Sequence, residues 1–201
     1  MSEKKRLILG VTGPTGAGKS TVVKLLEAEF GFFAIDTDQL AREAVNEEDC
    51  ARALREAFGA DLYDEKGNLN RALLAQRAFQ SDEKTKRLNE ITHPVVIRLL
   101  WERIGRAGKK TRKFVIDVPL LYESGLDSIC DFVLAVTAPY QTRLSRIRRR
   151  DGLTLEQAKL RMARQKKNQF YESRADIVIN GRSSDPKADL AAALTKLQVI
   201  D

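Results

Sequence analysis

The chain has 201 residues, 43% of them hydrophobic, and a formal net charge of +7. This length suits one compact domain with a sizeable core, and the hydrophobic content excludes a disordered protein. No apolar run reaches the roughly 18 residues of a membrane-spanning helix, and residues 7–9 are too short for a signal-peptide core, so we expect a cytosolic protein with no membrane partner. The two cysteines, Cys50 and Cys130, lack metal-ligand spacing and are expected to be ordinary thiols.

The predicted elements begin with a strand, a glycine-rich turn and a helix. Residues 7–12 contain an apolar run typical of a strand that is buried on both faces. A helix is predicted from about residue 19 to residue 30, and Gly31 is a suitable residue to end it. A second short strand is predicted at residues 32–35.

The middle of the chain, residues 40–107, fits a mainly helical pattern that is broken at Gly59 and at residues 64–67. A helical insertion of this length between strands could hold an acceptor substrate. The later predicted elements are strands at 114–119, 131–136 and 175–180 and helices at 139–150, 155–170 and 185–197. Strands that alternate with helices predict an α/β fold with a parallel sheet covered on both faces.

Residues 13–20, the phosphate loop, match the pattern G-x-x-x-x-G-K-[ST] between a predicted strand and a predicted helix. Glycines in such a loop let successive backbone N–H groups point at one anion, and the following helix adds its N-terminal partial charge. Lys19 is predicted to reach the β- and γ-phosphates of a nucleotide, and the Ser20 hydroxyl is predicted to bind Mg²⁺. The predicted nucleotide-binding residues here are Gly16, Ala17, Gly18, Lys19, Ser20 and Thr21.

Three aspartates lie at or near the carboxyl ends of predicted strands, where ligands bind in sheets of this kind. Asp36 and Asp38 would lie on one side of the chain if it stayed extended, and a carboxylate there could position and deprotonate a hydroxyl. Spacing alone leaves an equal alternative, in which Asp38 caps a helix that begins at Gln39. Asp117 ends a hydrophobic run and could hold Mg²⁺, or it could simply face water.

The positive charge concentrates in residues 143–150 and 161–167. A basic protein suits nucleic acid or a polyphosphate ligand, but no aromatic residues interleave with these arginines, so we expect no nucleic-acid partner. Arg143, Arg146 and Arg150 share one helix face. They could neutralise charge on a transferring phosphoryl group, or they could form an ordinary solvated face.

The single histidine, His93, directly precedes Pro94. A lone histidine near apolar residues usually has a structural role. We predict that this pair marks the start of a helix, a position where proline is favourable. Sequence alone therefore favours a structural role for His93.

Several segments together resemble the dephospho-coenzyme A kinase family. They are GVTG at 10–13, GAGKST at 16–21, IDTD at 35–38, AR at 41–42, FGA at 58–60, LN at 88–89, HP at 93–94, VPLLYE at 118–123, Arg146 with RD at 150–151, Gln165 and ADIVIN at 175–180. They span nearly the whole chain, and their combination is far more specific than the phosphate loop. Three departures are Pro14 in the phosphate loop, where the family often has glycine, Tyr122, where phenylalanine is frequent in the family, and the glycine directly after Asn180.

The resemblance implies a parallel-sheet P-loop kinase core covered by helices, with a helical substrate-binding insertion and a small helical lid. The implied nucleotide-binding core comprises residues 1–45, 110–142 and 174–201. The implied acceptor-binding domain comprises residues 46–109, and the implied lid comprises residues 143–173.

The resemblance also implies ATP-dependent phosphorylation of the ribose 3′-hydroxyl of dephospho-coenzyme A, with Asp38 as the base and with Lys19 and Arg146 as further catalytic residues. The implied acceptor-site residues are Asp38, His93 and Leu120. The implied nucleotide contacts outside the phosphate loop are Arg146, Arg150 and Asn180. The implied Mg²⁺ ligands are Ser20, Asp38 and Asp117. Two alternatives remain, namely a P-loop kinase for a nucleoside monophosphate or a sugar acid, and a nucleotide-binding switch without an acceptor. The sequence leaves the oligomeric state open.

Overall fold

The computed structural model describes residues 6–108 and 111–200. The chain divides into two compact units. The first unit comprises Met1–Ile35 and Lys110–Asp201, and the second comprises Asp36–Lys109. This division places residues 36–45 in the second unit and residues 143–173 in the first, and the predicted functional division into core, acceptor domain and lid stays a prediction.

Strands and helices alternate through the described residues. The strands are β1 (Leu7–Thr12), β2 (Phe33–Asp36), β3 (Lys113–Asp117), β4 (Phe132–Thr137) and β5 (Ile177–Asn180). The helices are α1 (Lys19–Phe30), α2 (Thr37–Ala44), α3 (Glu48–Phe58), α4 (Arg71–Ala78), α5 (Asp82–Ala107), α6 (Tyr140–Asp151), α7 (Leu155–Ala163), α8 (Asn168–Glu172) and α9 (Pro186–Lys196).

The first unit is built on a five-stranded sheet with the order β2-β3-β1-β4-β5. The central strand β1 pairs in parallel with β3 and β4, and β4 pairs in parallel with β5. Helix α1 packs on β3 and on α9. The predicted α/β fold with a parallel sheet is therefore confirmed. Since the chain order reverses on either side of β1, the carboxyl end of this strand lies at the position where such sheets bind ligands.

The core of the first unit consists of apolar side chains from the sheet and from the helices that cover it. Leu9, Val11 and Leu134 are fully buried in the sheet, and Leu26 and Leu190 pack against them from α1 and α9. Burial of each such side chain contributes about 1.5–3 kcal/mol. The core therefore fixes the carboxyl end of β1, from which the phosphate loop begins.

The predicted single helix at 155–170 is wrong, because α7 ends at Ala163 and α8 begins at Asn168. Lys167 has extended backbone, with φ −72° and ψ 162°. The interruption lets Gln165 and Asn168 form hydrogen bonds elsewhere in the first unit, to the Thr15 N–H and to the Ala138 carbonyl. These long-range bonds outweigh the local helical pattern.

The second unit consists of helices α2 to α5 around a small apolar core. Its buried residues include Leu54, Phe58, Leu62, Leu74 and Ala78. Helix α5 is capped by Ser81, the residue before it, whose hydroxyl accepts a bond of 3.2 Å from the Lys84 N–H.

The prediction that His93 and Pro94 mark a helix start is wrong, because both lie inside α5. Proline lacks an N–H and removes one bond of the helical ladder. The helix nevertheless continues, because buried Val96, Leu99 and Leu100 extend its apolar face beyond the proline.

Both cysteines are free, as expected. Burial is the main cause that raises the pKa of Cys50 to about 11 and that of Cys130 to about 12, so both thiols stay protonated near neutral pH. None of the helices formed by residues 6–108 and 111–200 is both long enough and apolar enough to cross a bilayer.

Candidate functional site

The phosphate loop connects β1 to α1 within the first unit. Gly13, Gly16 and Gly18 have positive φ angles of 138°, 74° and 113°, which residues with a Cβ rarely adopt. Gly18 is the residue that directly precedes α1. The Lys19 ammonium donates to the Gly13 carbonyl at 2.7 Å and to the Pro14 carbonyl at 3.3 Å. The loop is therefore curled, with its lysine folded back along it.

The phosphate loop packs so closely on its surroundings that three glycines have no room for a side chain. A Cβ on Gly13 would lie 2.1 Å from the Val136 carbonyl oxygen. A Cβ on Gly16 would lie 2.8 Å from the Arg143 carbonyl oxygen in α6. A Cβ on Gly181 would lie 1.8 Å from the Ala17 carbonyl oxygen. The glycine directly after β5, a departure from the family pattern, is thus required by contact with the loop.

Thr15, near the tip of the phosphate loop, is bonded on both its backbone groups. Its N–H donates to Gln165 Oε1 at 2.9 Å, and its carbonyl accepts from Arg143 Nε at 3.0 Å. The Arg143 side chain also donates to Asn168 Oδ1 at 3.2 Å. Arg143 is only 5% exposed, so it is not part of a solvated basic face. Burial lowers its pKa, yet a guanidinium stays charged at neutral pH.

Arg146 also contacts the phosphate loop through backbone carbonyls. One terminal nitrogen donates to the Gly16 carbonyl at 3.3 Å and to the Ala17 carbonyl at 3.0 Å. The other donates to the Gly181 carbonyl at 2.7 Å. The side chain thus joins the loop to the turn that follows β5.

Arg150 is the exposed member of the three arginines. It forms a two-bond ion pair with Asp151, at 2.7 and 2.9 Å, and lies 3.4 Å from the Thr15 hydroxyl. Asp151 is also paired with Arg161 at 2.8 Å. The three arginines therefore differ in environment although they share a helix face. Only Arg150 fits the alternative prediction of an ordinary, solvated basic face.

The first unit holds two of the predicted Mg²⁺ ligands. Asp117 is the last residue of β3 and lies beside Val11 of β1, close to the start of the phosphate loop. Ser20 is an exposed residue in the first turn of α1. Within the described ranges, no cluster of three or more His, Cys, Asp or Glu side chains could hold a metal ion. This donor set fits Mg²⁺, which proteins commonly hold with one or two side chains while substrate phosphates and water complete its coordination.

Two further predicted site residues belong to the first unit. Asn180 ends β5 and pairs with Thr137 of β4. Its side-chain oxygen accepts a bond of 3.0 Å from the Arg182 N–H. Leu120 follows β3 and is 60% exposed, which is unusual for a leucine and leaves an apolar surface for a ligand.

The remaining predicted site residues belong to the second unit. The helix that follows β2 is capped by Asp36, whose carboxylate accepts from the Gln39 N–H at 3.1 Å. The alternative in which Asp38 is the cap is therefore wrong. Because the helix begins at Thr37, Asp36 and Asp38 do not continue on one side of an extended chain. Asp38 is exposed, and no described residue of the second unit is bonded to its carboxylate.

His93 is partly buried in α5, and this burial lowers the pKa of its imidazole below 6.5. The imidazole is therefore neutral near pH 7, with one nitrogen able to donate and the other able to accept a hydrogen bond.

Sequence reasoning missed the contacts that surround the phosphate loop. The hydrogen bond from Thr15 to Gln165 joins residues 150 positions apart, and the bond from Arg143 to Thr15 joins residues 128 apart. No local pattern predicts such a pairing. The only available signal was the presence of Gln165 among the segments shared with one family.

Comparison with known proteins agrees with this geometry. The family model described as dephospho-CoA kinase matches residues 7–186. The chain is 38% identical to a dephospho-CoA kinase of Fusobacterium nucleatum, covering 89% of this chain and 91% of the relative. It is 40% identical to one of Corynebacterium efficiens, covering 95% of each. A crystal structure of a Thermus thermophilus protein has a TM-score of 0.82 and 31% identity, covering 98% of this chain and 100% of that one. The chain therefore belongs to the dephospho-CoA kinase family.

Proposed function

We propose that the protein transfers the γ-phosphoryl group of ATP to the ribose 3′-hydroxyl of dephospho-coenzyme A, which gives coenzyme A and ADP. The observation that carries this proposal is the curled phosphate loop at the carboxyl end of β1, in a chain of the dephospho-CoA kinase family. The loop supplies the nucleotide site, and family membership supplies the class of acceptor.

The nucleotide is held chiefly by backbone groups of the phosphate loop. Its N–H groups and the N-terminus of α1 bind the β- and γ-phosphates. The Lys19 ammonium, which lies on the Gly13 and Pro14 carbonyls, moves onto these phosphates and stabilises the charge during transfer. Thr21 lies near the α-phosphate, and Asn180 contributes to the adenine site. Arg146 and Arg150 add positive charge beside the loop.

Ser20 would hold Mg²⁺ through its hydroxyl and Asp117 through its carboxylate, and Asp38 is proposed as a further ligand. When bound with ATP, the ion would supply charge neutralisation at the phosphates. The protein's own contribution is to fix these oxygens on a rigid helix start and a rigid strand end, so that they need not reorganise during transfer.

Asp38 accepts the proton of the acceptor hydroxyl as the new phosphate ester bond forms. Its exposure and the absence of a bonded partner within the described part of the second unit support this role, since a carboxylate already used as a helix cap would be less available. His93 and Leu120 contribute to binding of the acceptor, His93 as a neutral hydrogen-bonding group and Leu120 as an apolar contact. ATP and dephospho-coenzyme A are thus the proposed partners, with no nucleic acid involved.

The proposal is tested by measuring ADP release with purified protein, ATP and Mg²⁺. We expect turnover only when an acceptor is added, and we expect dephospho-coenzyme A to exceed nucleoside monophosphates and sugar acids by orders of magnitude in kcat/KM. Preference for a sugar acid or a nucleoside would establish the rival kinase. ADP release that does not depend on any acceptor would establish a nucleotide-binding switch.

The role of Asp38 is tested separately with Asp38→Asn, which should retain ATP binding and lose at least about 100-fold in kcat, a typical contribution of a general base. Asp49→Asn, which removes an exposed carboxylate of α3 in the same unit, is the matched control. Asp36→Asn retains a good helix cap. Loss of turnover in that variant, together with full turnover in Asp38→Asn, would contradict the assignment.

A further inference from the structure

We propose that Arg143 and Gln165 are positioning residues that fix the direction of the peptide groups in the phosphate loop. This inference rests on the proposed function of that loop as the nucleotide site. The two side chains do not touch the phosphates themselves. They bind the outer side of the loop, so that its N–H groups are directed at the anion before the anion arrives.

Peptide geometry supplies the first step of the argument. In a trans peptide the carbonyl and the N–H point in opposite directions, and no described residue has a cis bond. The Thr15 carbonyl and the Gly16 N–H belong to one peptide group. When Arg143 Nε holds the Thr15 carbonyl at 3.0 Å, it therefore directs the Gly16 N–H away from α6.

The same relation continues along the phosphate loop. Arg146 holds the carbonyls of Gly16 and Ala17, at 3.3 and 3.0 Å, and these peptide groups carry the N–H groups of Ala17 and Gly18. Three successive peptide groups thus have their carbonyls bonded to arginines of α6. The Ala17 N–H donates to the Pro14 carbonyl at 3.2 Å, which closes a turn within the loop. The N–H groups of Gly16 and Gly18 point away from the carbonyls held by α6, as an anion site requires.

Arg143 can serve this purpose because its own position is fixed. It is 5% exposed, and its terminal nitrogen donates to Asn168 Oδ1. The Asn168 side chain in turn donates to the Ala138 carbonyl, directly after β4, at 3.0 Å. The observed bonds of the buried Arg143 guanidinium all go to neutral acceptors. Its positive charge is therefore not offset by a bonded carboxylate, and it adds to the attraction of phosphate.

Gln165 binds the other backbone group of Thr15, its N–H. The Thr15 N–H would otherwise be a free donor at a loop tip without a helix or strand of its own. Its bond to Gln165 Oε1 holds the peptide group between Pro14 and Thr15, while Arg143 holds the next one. Thr15 is therefore fixed from both sides by residues of α6 and of the link between α7 and α8.

The experiment measures ADP binding by calorimetry, which requires no acceptor, together with steady-state kinetics and thermal unfolding. Arg143→Gln should weaken ADP binding by about tenfold or more, as expected for loss of a hydrogen bond to a charged group. Gln165→Leu should weaken it by about three- to tenfold. In both variants KM for ATP should rise, while KM for the acceptor should stay unchanged. Arg143→Lys keeps the charge and one donor and should recover part of the loss. Arg149→Gln removes an exposed arginine of the same helix and should bind ADP as the parent does.

The double variant, which combines Arg143→Gln with Gln165→Leu, tests whether the two side chains act together on the phosphate loop or independently. Because both side chains act on Thr15, the combined loss in ADP affinity should be smaller than the product of the two single losses. Unchanged ADP affinity in Gln165→Leu and in folded Arg143→Gln, with only a lower Tm, would show that the network serves stability and would overturn the proposal. If Arg143→Gln does not fold, Gln165→Leu alone decides the matter. A parent protein that binds ADP normally but does not phosphorylate dephospho-coenzyme A would refute the proposed acceptor and leave this inference standing.

Discussion

Replacement of Gly181 by alanine tests whether the turn after β5 supports the phosphate loop. The added Cβ would lie 1.8 Å from the Ala17 carbonyl oxygen, about 1.6 Å short of an ordinary contact of 3.4 Å. Gly181 has no positive φ, so the backbone itself accepts alanine. The main obstacle is a backbone carbonyl of the loop, which cannot rotate away as a flexible side chain would.

The magnitude follows from that overlap. Overpacking of a tight interior typically costs about 1–3 kcal/mol, and a protein of this size loses about 2–4 °C in Tm for each kcal/mol. A carbonyl displaced by more than 1 Å also carries the Gly18 N–H with it, and misplacement of that size commonly costs about 100-fold in function. We therefore expect ADP affinity to fall by at least about tenfold, which corresponds to about 1.4 kcal/mol of binding free energy.

The assay is thermal unfolding combined with calorimetric titration of ADP. Gly105→Ala is the matched control, because Gly105 lies inside α5 and a Cβ added there would have nothing within 4 Å. Alanine there should stabilise the protein by about 0.5–1 kcal/mol and leave ADP affinity unchanged. If Gly181→Ala binds ADP as the parent does, the close contact between this turn and the loop has no role in nucleotide binding.

Three further predictions concern single side chains. Lys19→Ala should leave Tm within a few degrees of the parent and reduce kcat/KM for ATP by at least about 100-fold, because a preorganised cation at the phosphates is lost; unchanged steady-state kinetics would contradict this. Tyr122→Phe should raise Tm by about 2–4 °C, because the Tyr122 hydroxyl is buried without a hydrogen-bond partner among the described residues and removing it relieves about 1 kcal/mol of desolvation; a fall in Tm would show that the hydroxyl has a partner. The folded state holds the pKa of His93 below 6.5, so the unfolded state binds more protons and the stability of the parent should fall as pH drops below 6.5. The Tm of the parent relative to His93→Gln should therefore decrease between about pH 7.5 and about pH 5.5, and a constant difference would refute the pKa shift.

The sheet of the first unit could be predicted from sequence because its signals are local. Strand β1 and helix α1 have the predicted bounds, since an apolar run precedes the glycine-rich turn and Gly31 ends the helix in a left-handed conformation. The same local reasoning predicted one helix over residues 155–170. It failed because Gln165 and Asn168 bond to residues far away in the sequence, and these bonds interrupt the helix.

The site was predictable in residue types and less so in their environments. The spacing of Arg143, Arg146 and Arg150 predicted a shared face, but burial and partners differ for each of them. At the start of α2, residue spacing could not decide whether Asp38 caps the helix or acts as the catalytic base. Only the hydrogen bond of the Asp36 carboxylate to the Gln39 N–H assigns the cap to Asp36.

The central claim is that the phosphate loop delivers a phosphoryl group to a ribose hydroxyl of dephospho-coenzyme A. The most direct measurement is phosphorus NMR of the reaction product formed from ATP, Mg²⁺ and dephospho-coenzyme A. We predict one new phosphate monoester on the ribose 3′-oxygen, formed in equal amount to ADP. ADP that accumulates together with free phosphate, or an unmodified dephospho-coenzyme A after full turnover of ATP, would contradict the account.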